Sequence, residues 1–300
     1  MRVGDYEVEL IPLGRFAMDG GGMFGIVPMA LWSRAYPHVD DSNRIELVTW
    51  ALLIRGQGRI LVADAGVGDK LEPKREQQFA LQQETRALER ALAARGINPE
   101  DVTDFVYTHL HFDHAGGSTR RGTPLGRDGG GADASVVPVL PRARHYVQRA
   151  QLAWARNPSD KDRASYLPEN WEPVIAAGLL DELDGPTEIL PGIEVRPVDG
   201  HTAAMQLIIV HGSVEGTGAI PGSSGLLFSV DLVQTAAHLP PHYVAAYDNH
   251  PLLAIEEKRR LLTEAAERRW IVCFVHDPFT PAAVLRQGAR GVEVEQVVTL

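Results

Sequence analysis

Polar and apolar residues alternate along residues 6–16, the two-residue period of a strand with one buried face. Residues 44–54 and 59–63 read as two further strands. Gly56-Gln57-Gly58 between them has the composition of a tight turn, so the two runs predict a hairpin. More continuously apolar runs at 104–107, 193–198, 205–210, 226–230 and 271–275 read as buried strands, and residues 144–148 and 292–298 add two more. Helical spacing covers 85–95, with Gly96 as its stop, and also 149–156, 174–183 and 254–268. On the last of these, Glu256-Glu257-Lys258-Arg259-Arg260 is expected to form the solvated face. Strands arrive in two batches, each followed by helices. That order predicts an α/β fold of two mixed sheets stacked between helices, αββα, in one domain spanning 1–300.

Composition narrows the function classes. The 300-residue chain is 44% hydrophobic, enough for a large core. A formal net charge of −10, with no basic patch beyond scattered arginine pairs, argues against a nucleic-acid partner. Cys273 is the single cysteine, which rules out internal disulfides and cysteine-rich metal sites; inside an apolar strand it reads as a small buried residue. Met1-Arg2-Val3-Gly4-Asp5-Tyr6-Glu7 has no apolar signal core, and no run is long enough to span a bilayer. A cytoplasmic protein without membrane contact is the expectation.

Two segments break the regular pattern. Within residues 1–40, the first strand is followed by Asp19-Gly20-Gly21-Gly22-Met23-Phe24-Gly25 and then Leu31-Trp32. Met23, Phe24 and Trp32 make this glycine-rich stretch apolar for a loop, so it is either a covered edge of the core or a wall of the substrate pocket. Residues 118–136 are rich in glycine and arginine and predict a flexible loop.

The chemistry concentrates in Thr108-His109-Leu110-His111-Phe112-Asp113-His114-Ala115-Gly116-Gly117, directly after the 104–107 strand. In extended backbone, side chains two apart share a face, so His109 and His111 can address one ion. Asp113 and His114 can join only if the chain turns, and Gly116-Gly117 is expected to allow that turn. Imidazole and carboxylate are the usual ligands of zinc and related divalent ions. Phe112, between two such residues, is expected near the ions and, with Met23, Phe24 and Trp32, to line the substrate pocket. Further candidates stand at the ends of later apolar strands: His201 in Gly200-His201-Thr202, Asp231 after 226–230, and His276 after 271–275.

This motif and the order of the later ligands resemble the metallo-β-lactamase superfamily, whose αββα fold matches the strand and helix order. The resemblance implies that His109, His111 and His201 hold one ion, that Asp113, His114 and His276 hold a second, and that Asp231 bridges the two. It also implies that Asp64, in Asp64-Ala65-Gly66, lies beneath the ions and orients a ligand histidine. Together with the glycine-rich segment and Arg144-His145-Tyr146-Val147-Gln148, these motifs are most similar to quorum-quenching N-acyl-homoserine lactonases and to hydrolases of the methyl parathion type.

For function, the resemblance implies two divalent ions, zinc foremost, and a bridging hydroxide that opens a neutral lactone, with Asp113 and Asp231 as the catalytic carboxylates. Relatives of this kind are often dimers, so a homodimer goes with the resemblance. Hydrolysis of phosphotriesters or aryl esters is the rival activity, since the same nucleophile can attack phosphorus. A metal-binding sensor without turnover is the rival from another class, and the complete ligand set argues against it. The chain departs from the pattern in three places: Ala203-Ala204 stands where Pro-Gly is common, Val230 precedes the bridging aspartate where glycine is usual, and Gln234 replaces a tyrosine. Tyr243, Tyr247 and His238 are candidates to take over that tyrosine's role.

Overall fold

The computed structural model describes residues 1–122, 135–216, 220–289 and 291–300. Most of the expected loop at 118–136 therefore lies outside the described residues. Its described flanks, Thr119–Arg121 and Val136–Pro138, are not loop but pair as an antiparallel ribbon.

Two mixed sheets form the body. In the first, Val214–Glu215, Arg2–Val3, Tyr6–Asp19, Arg44–Gly56 and Arg59–Ala63 pair antiparallel, and Asp104–Val106, Arg144–Gln148 and Leu180–Leu183 continue in parallel. The second runs Thr187–Leu190, Ile193–Val198, Met205–His211, Gly225–Phe228, Ile271–Cys273, Ala282–Gly288 and Gly291–Val297, with one parallel pair between Gly225–Phe228 and Ile271–Cys273. Alternation along the strands explains the layering. Val8, Leu10, Leu52, Ile54, Leu61 and Ala63 face the second sheet and its Leu207, Ile209 and Phe228. Their neighbours Ile11, Leu13, Ala51, Leu53 and Val62 face outward onto Leu88, Leu92, Leu152 and Trp171 of the covering helices and loops. A one-residue slip of any of these strands would exchange the two sets, so the register is fixed by burial on both faces. The result is the expected αββα sandwich.

Three local expectations need correction. The stretch at 19–35 is not a loop: it forms two short helices, Gly20–Phe24 and Met29–Ala35, the first capped by Asp19 Oδ1 accepting from Gly22 N at 2.8 Å. Two of its glycines are required by close approach rather than by freedom of the chain. A Cβ at Gly20 would lie 2.4 Å from the Trp32 ring, and one at Gly22 would lie 2.5 Å from the Tyr247 hydroxyl. The expected helix at 174–183 also fails. A helix covers only Glu172–Ala176, because Gly178 (φ 71°) ends it in a left-handed cap with Leu179 N bonded to Val174 O; Leu180–Leu183 is an edge strand. On the long helix, observed at Pro251–Glu267, Glu257 and Lys258 are buried rather than solvated. The Glu257 carboxylate accepts from Asp199 N and Gly200 N, both at 2.9 Å, and Lys258 Nζ donates to His238 O and Tyr243 O. Each therefore satisfies loop backbone groups that would otherwise be buried unpaired.

Candidate metal centre

The strand Asp104–Val106 ends one residue after Phe105, and the chain then runs out at the sheet edge where His109 to His114 sit, all buried. The turn that brings Asp113 and His114 round is not made by Gly116-Gly117. It is a single helical turn, Phe112–Ala115, closed by His114 N and Ala115 N on His111 O. The glycines serve another need: a Cβ at Gly116 would lie 1.9 Å from Val67 O, and one at Gly117 would lie 2.1 Å from Ala65 O. They let the Asp64-Ala65-Gly66-Val67 backbone pass beneath the motif.

All seven candidate ligands converge. His109, His111, His201 and Asp231 form one group and Asp113, His114 and His276 a second, with the donor atoms of each group within 4.8 Å of one another. In the first, His111 Nδ1 lies 3.1 Å from His109 Nε2 and 3.2 Å from His201 Nε2, and Asp231 Oδ2 is 3.2 Å from His201 Nε2. In the second, Asp231 Oδ1 is 3.1 Å from His276 Nε2 and 3.4 Å from His114 Nε2, while Asp113 Oδ2 is 3.6 Å and 3.7 Å from the same two nitrogens. Asp231 thus presents one oxygen to each group.

The remote ring nitrogens explain why the near ones are lone pairs. His114 Nδ1 donates to Asp64 Oδ2 at 2.8 Å, His201 Nδ1 to Asp248 Oδ1 at 2.8 Å, and His276 Nδ1 to Val48 O at 2.9 Å. The Thr108 hydroxyl donates to Asp64 at 2.9 Å, which leaves its oxygen to accept from His109 Nδ1 at 3.1 Å. With Nδ1 committed to these acceptors, Nε2 is the nitrogen that each of the four rings, once neutral, offers inward as a ligand. Buried and without a hydrogen-bond partner among the described residues, His114 Nε2 and Asp231 Oδ1 are what a cation would satisfy. The donor set fits two divalent ions, the first on three imidazoles and the second on two imidazoles and a carboxylate, with Asp231 shared.

Electrostatics point the same way. Burial, His114 and His111 hold His109 well below the ordinary imidazole range, and burial with His201 does the same to His111. At His114 burial opposes charge, but Asp231, Asp113 and Asp64 outweigh it and raise the ring well above that range. Asp231 is likewise opposed by burial, yet His114, His276 and His201 keep it well below the usual carboxylate range. Three buried carboxylates around one point demand positive charge, which bound cations supply.

The model of the metallo-beta-lactamase superfamily matches residues 44–120, the span from the second long strand through the histidine motif. Over that span the chain carries the signature of the metallo-beta-lactamase superfamily. Among curated relatives, an N-acyl homoserine lactonase of Bacillus cereus is 24% identical over 281 residues, covering 90% of this chain and 93% of that protein. Among solved structures, a probable metal-dependent hydrolase from Staphylococcus aureus aligns with a TM-score of 0.84 at 26% identity, covering 100% of this chain and 99% of the other. A dizinc quorum-quenching lactonase in complex with its product N-hexanoyl-L-homoserine aligns with a TM-score of 0.76 at 16% identity, covering 100% and 97%.

Two of the departures named above carry a conformational cost. Ala204 (φ 50°) and Val230 (φ 41°) both occupy the left-handed region that suits the glycine they replace. Val230 is fully buried in the sandwich core, so packing holds the strained turn that aims Asp231.

A cavity of about 630 Å³ opens onto the ligands His111, Asp113, His201, Asp231 and His276. Met23 and Phe112 line it. Phe24 and Trp32 do not: they are buried in a stack in which His238 lies 4.5 Å and Trp32 lies 5.1 Å from the Phe24 ring, on the core side of the segment. Phe79, unnoticed in the sequence, stacks on Phe112 at 5.1 Å and completes the apolar wall with Met18. The mouth also carries Glu72, Lys74, Arg75, Lys161 and Asp162, so the cavity is less apolar than its predicted lining. Arg75 and Lys161 donate to backbone carbonyls, however, and Asp162 accepts from Trp154, Ser159 and Asn249. Of the candidates for the missing tyrosine, His238 is committed to Met23 O and only Tyr247 reaches the cavity, beside Gln234 itself.

Sequence reasoning missed Asp248, Thr108 and Glu257. Asp248 stands just before His250-Pro251, which signals only a helix start, and Glu257 was hidden in a charge run.

Proposed function

We propose that this metal-dependent hydrolase opens a neutral lactone ring, with N-acyl-homoserine lactones as the substrate class. The observation that carries the reading is the pairing of the seven-ligand centre with an aromatic wall, Phe79 and Phe112, in one cavity. The ligands are those named above, and zinc suits their histidine and carboxylate donors. When bound, two such ions supply Lewis-acid polarisation of a carbonyl and activation of water at neutral pH.

The chain's own residues do the rest. Asp231 and the four imidazoles with protonated Nδ1 fix the donors before substrate arrives. Asp113, whose carboxylate borders the cavity, takes the proton released by the attacking water and returns it to the leaving ring oxygen. Tyr247 keeps its hydroxyl protonated, since burial, Asp19 and Asp113 raise it above its ordinary value, and it donates to a substrate oxygen. The acyl tail lies along Phe112 and Phe79. A cytoplasmic homodimer without nucleic-acid partner belongs to the same reading, supported by the family resemblance and the acidic charge.

If the tail is buried there, each added methylene contributes about 0.8 kcal/mol, roughly four-fold in kcat/KM, until the cavity is full. Efficiency is expected to climb from short to medium acyl chains, and Phe112→Ala or Phe79→Ala to flatten the climb. Phe24→Ala is expected instead to cost about 3–5 kcal/mol of stability, because that ring is core. Measurement of kcat/KM across an acyl series decides it. A flat wild-type profile, or a phosphotriester turned over far faster than every lactone, would select the rival hydrolase activity.

A further inference from the structure

His201 is gripped by a segment that also forms the wall of the cavity. Asp248, itself buried, gives Oδ1 to His201 Nδ1 at 2.8 Å and Oδ2 to Ala245 N at 3.1 Å. Asn249 N and His250 N donate to His201 O and Gly200 O, both at 2.9 Å, so backbone and side chain of the His201 turn are held from one side. This segment is in turn anchored from across the mouth. Lys161 Nζ donates to Tyr247 O at 2.8 Å and Asp248 O at 2.6 Å, and Asn249 Nδ2 donates to Asp162 Oδ2 at 2.6 Å. Lys161, Asp162, Ala246 and Tyr247 all face the cavity.

We propose that Asp248 is a positioning residue for His201 and that Lys161 holds it in register, so the wall of the cavity and the first metal position form one mechanical unit. A carboxylate on the remote nitrogen fixes the ring's tautomer and orientation and strengthens it as a ligand. Lys161 bonds no candidate ligand, although its charge reaches His111, and its two bonds to consecutive carbonyls set the height of the turn that carries the Asp248 carboxylate. The second group of donors is oriented by Asp64 and Val48 instead, so the clamp serves one ion and not the other. The inference rests on the metal reading of the site and is independent of the lactone.

The test is titration of metal-stripped full-length protein with Co(II), following absorption and bound-metal stoichiometry. Wild type is expected to take up two ions in distinguishable steps. Asp248→Ala should weaken one step about ten- to a hundred-fold and leave the other within about two-fold. Asp248→Asn keeps the shape and an acceptor oxygen and should fall between. Lys161→Met should weaken the same step by a smaller factor, and Lys161→Arg should restore part of it. Equal weakening of both steps, or a Lys161→Met profile that matches wild type, overturns the proposal while leaving the dinuclear reading in place. A wild-type protein that binds no metal overturns both.

Discussion

Asp231→Asn is expected to lower kcat/KM by at least about 10²–10³-fold, the scale seen when one preorganised electrostatic element is removed from an active site. The substitution keeps the side chain's shape but replaces one oxygen with an amide nitrogen. Oδ1 lies 3.1 Å from His276 Nε2 and 3.4 Å from His114 Nε2, and Oδ2 lies 3.2 Å from His201 Nε2. Whichever way the amide turns, its N–H groups meet a histidine lone pair and occupy the direction a cation needs. One metal position is lost outright and the shared contact with it. Elemental analysis is expected to find two ions in reloaded wild type and about one in the reloaded variant. Two tightly bound ions with a near wild-type rate would show that Asp231 is not the bridge.

Asp64→Ala should weaken metal affinity about ten- to a hundred-fold without removing any candidate ligand. Asp64 accepts from Thr108 N at 3.0 Å, from the Thr108 hydroxyl at 2.9 Å and from His114 Nδ1 at 2.8 Å. Through the threonine hydroxyl it also sets which nitrogen of His109 is protonated, so one carboxylate orients a ligand of each group. Its removal leaves a buried backbone N–H unpaired, at about 1–3 kcal/mol, and puts alanine at φ 61°, where aspartate is better tolerated. The variant should therefore be both less stable and weaker for both ions, unlike the Asp248 variants, which separate the two. Chelator competition alongside thermal unfolding checks this. Unchanged affinity would leave Asp64 with only a structural role.

The sandwich was legible because the runs at 6–16, 44–54 and 59–63 are apolar enough to be strands, and in the fold both of their faces are buried. The seven residues that converge could be singled out because they fall at strand ends in a fixed order. What stayed hidden depends on contacts between distant segments. The charge run at 256–260 looks uniformly solvated, yet Glu257 and Lys258 turn inward because two loops need acceptors and donors there. Phe24 and Trp32 are as apolar as Met23, and nothing local says that two short helices fold their rings into a stack away from the cavity. The glycine pair after the motif suggests a local turn, but its need comes from the Ala65 and Val67 backbone, far away in sequence. Asp248 carries no local signal at all, since only the fold brings it to His201.

The central claim is that two ions and this cavity together open a lactone. It is tested most directly by following ring opening of N-hexanoyl-L-homoserine lactone while divalent metal is added back to stripped protein. Turnover is expected to rise with metal and saturate near two equivalents per chain. Saturation at one equivalent, or no ring opening at any loading, would contradict the account.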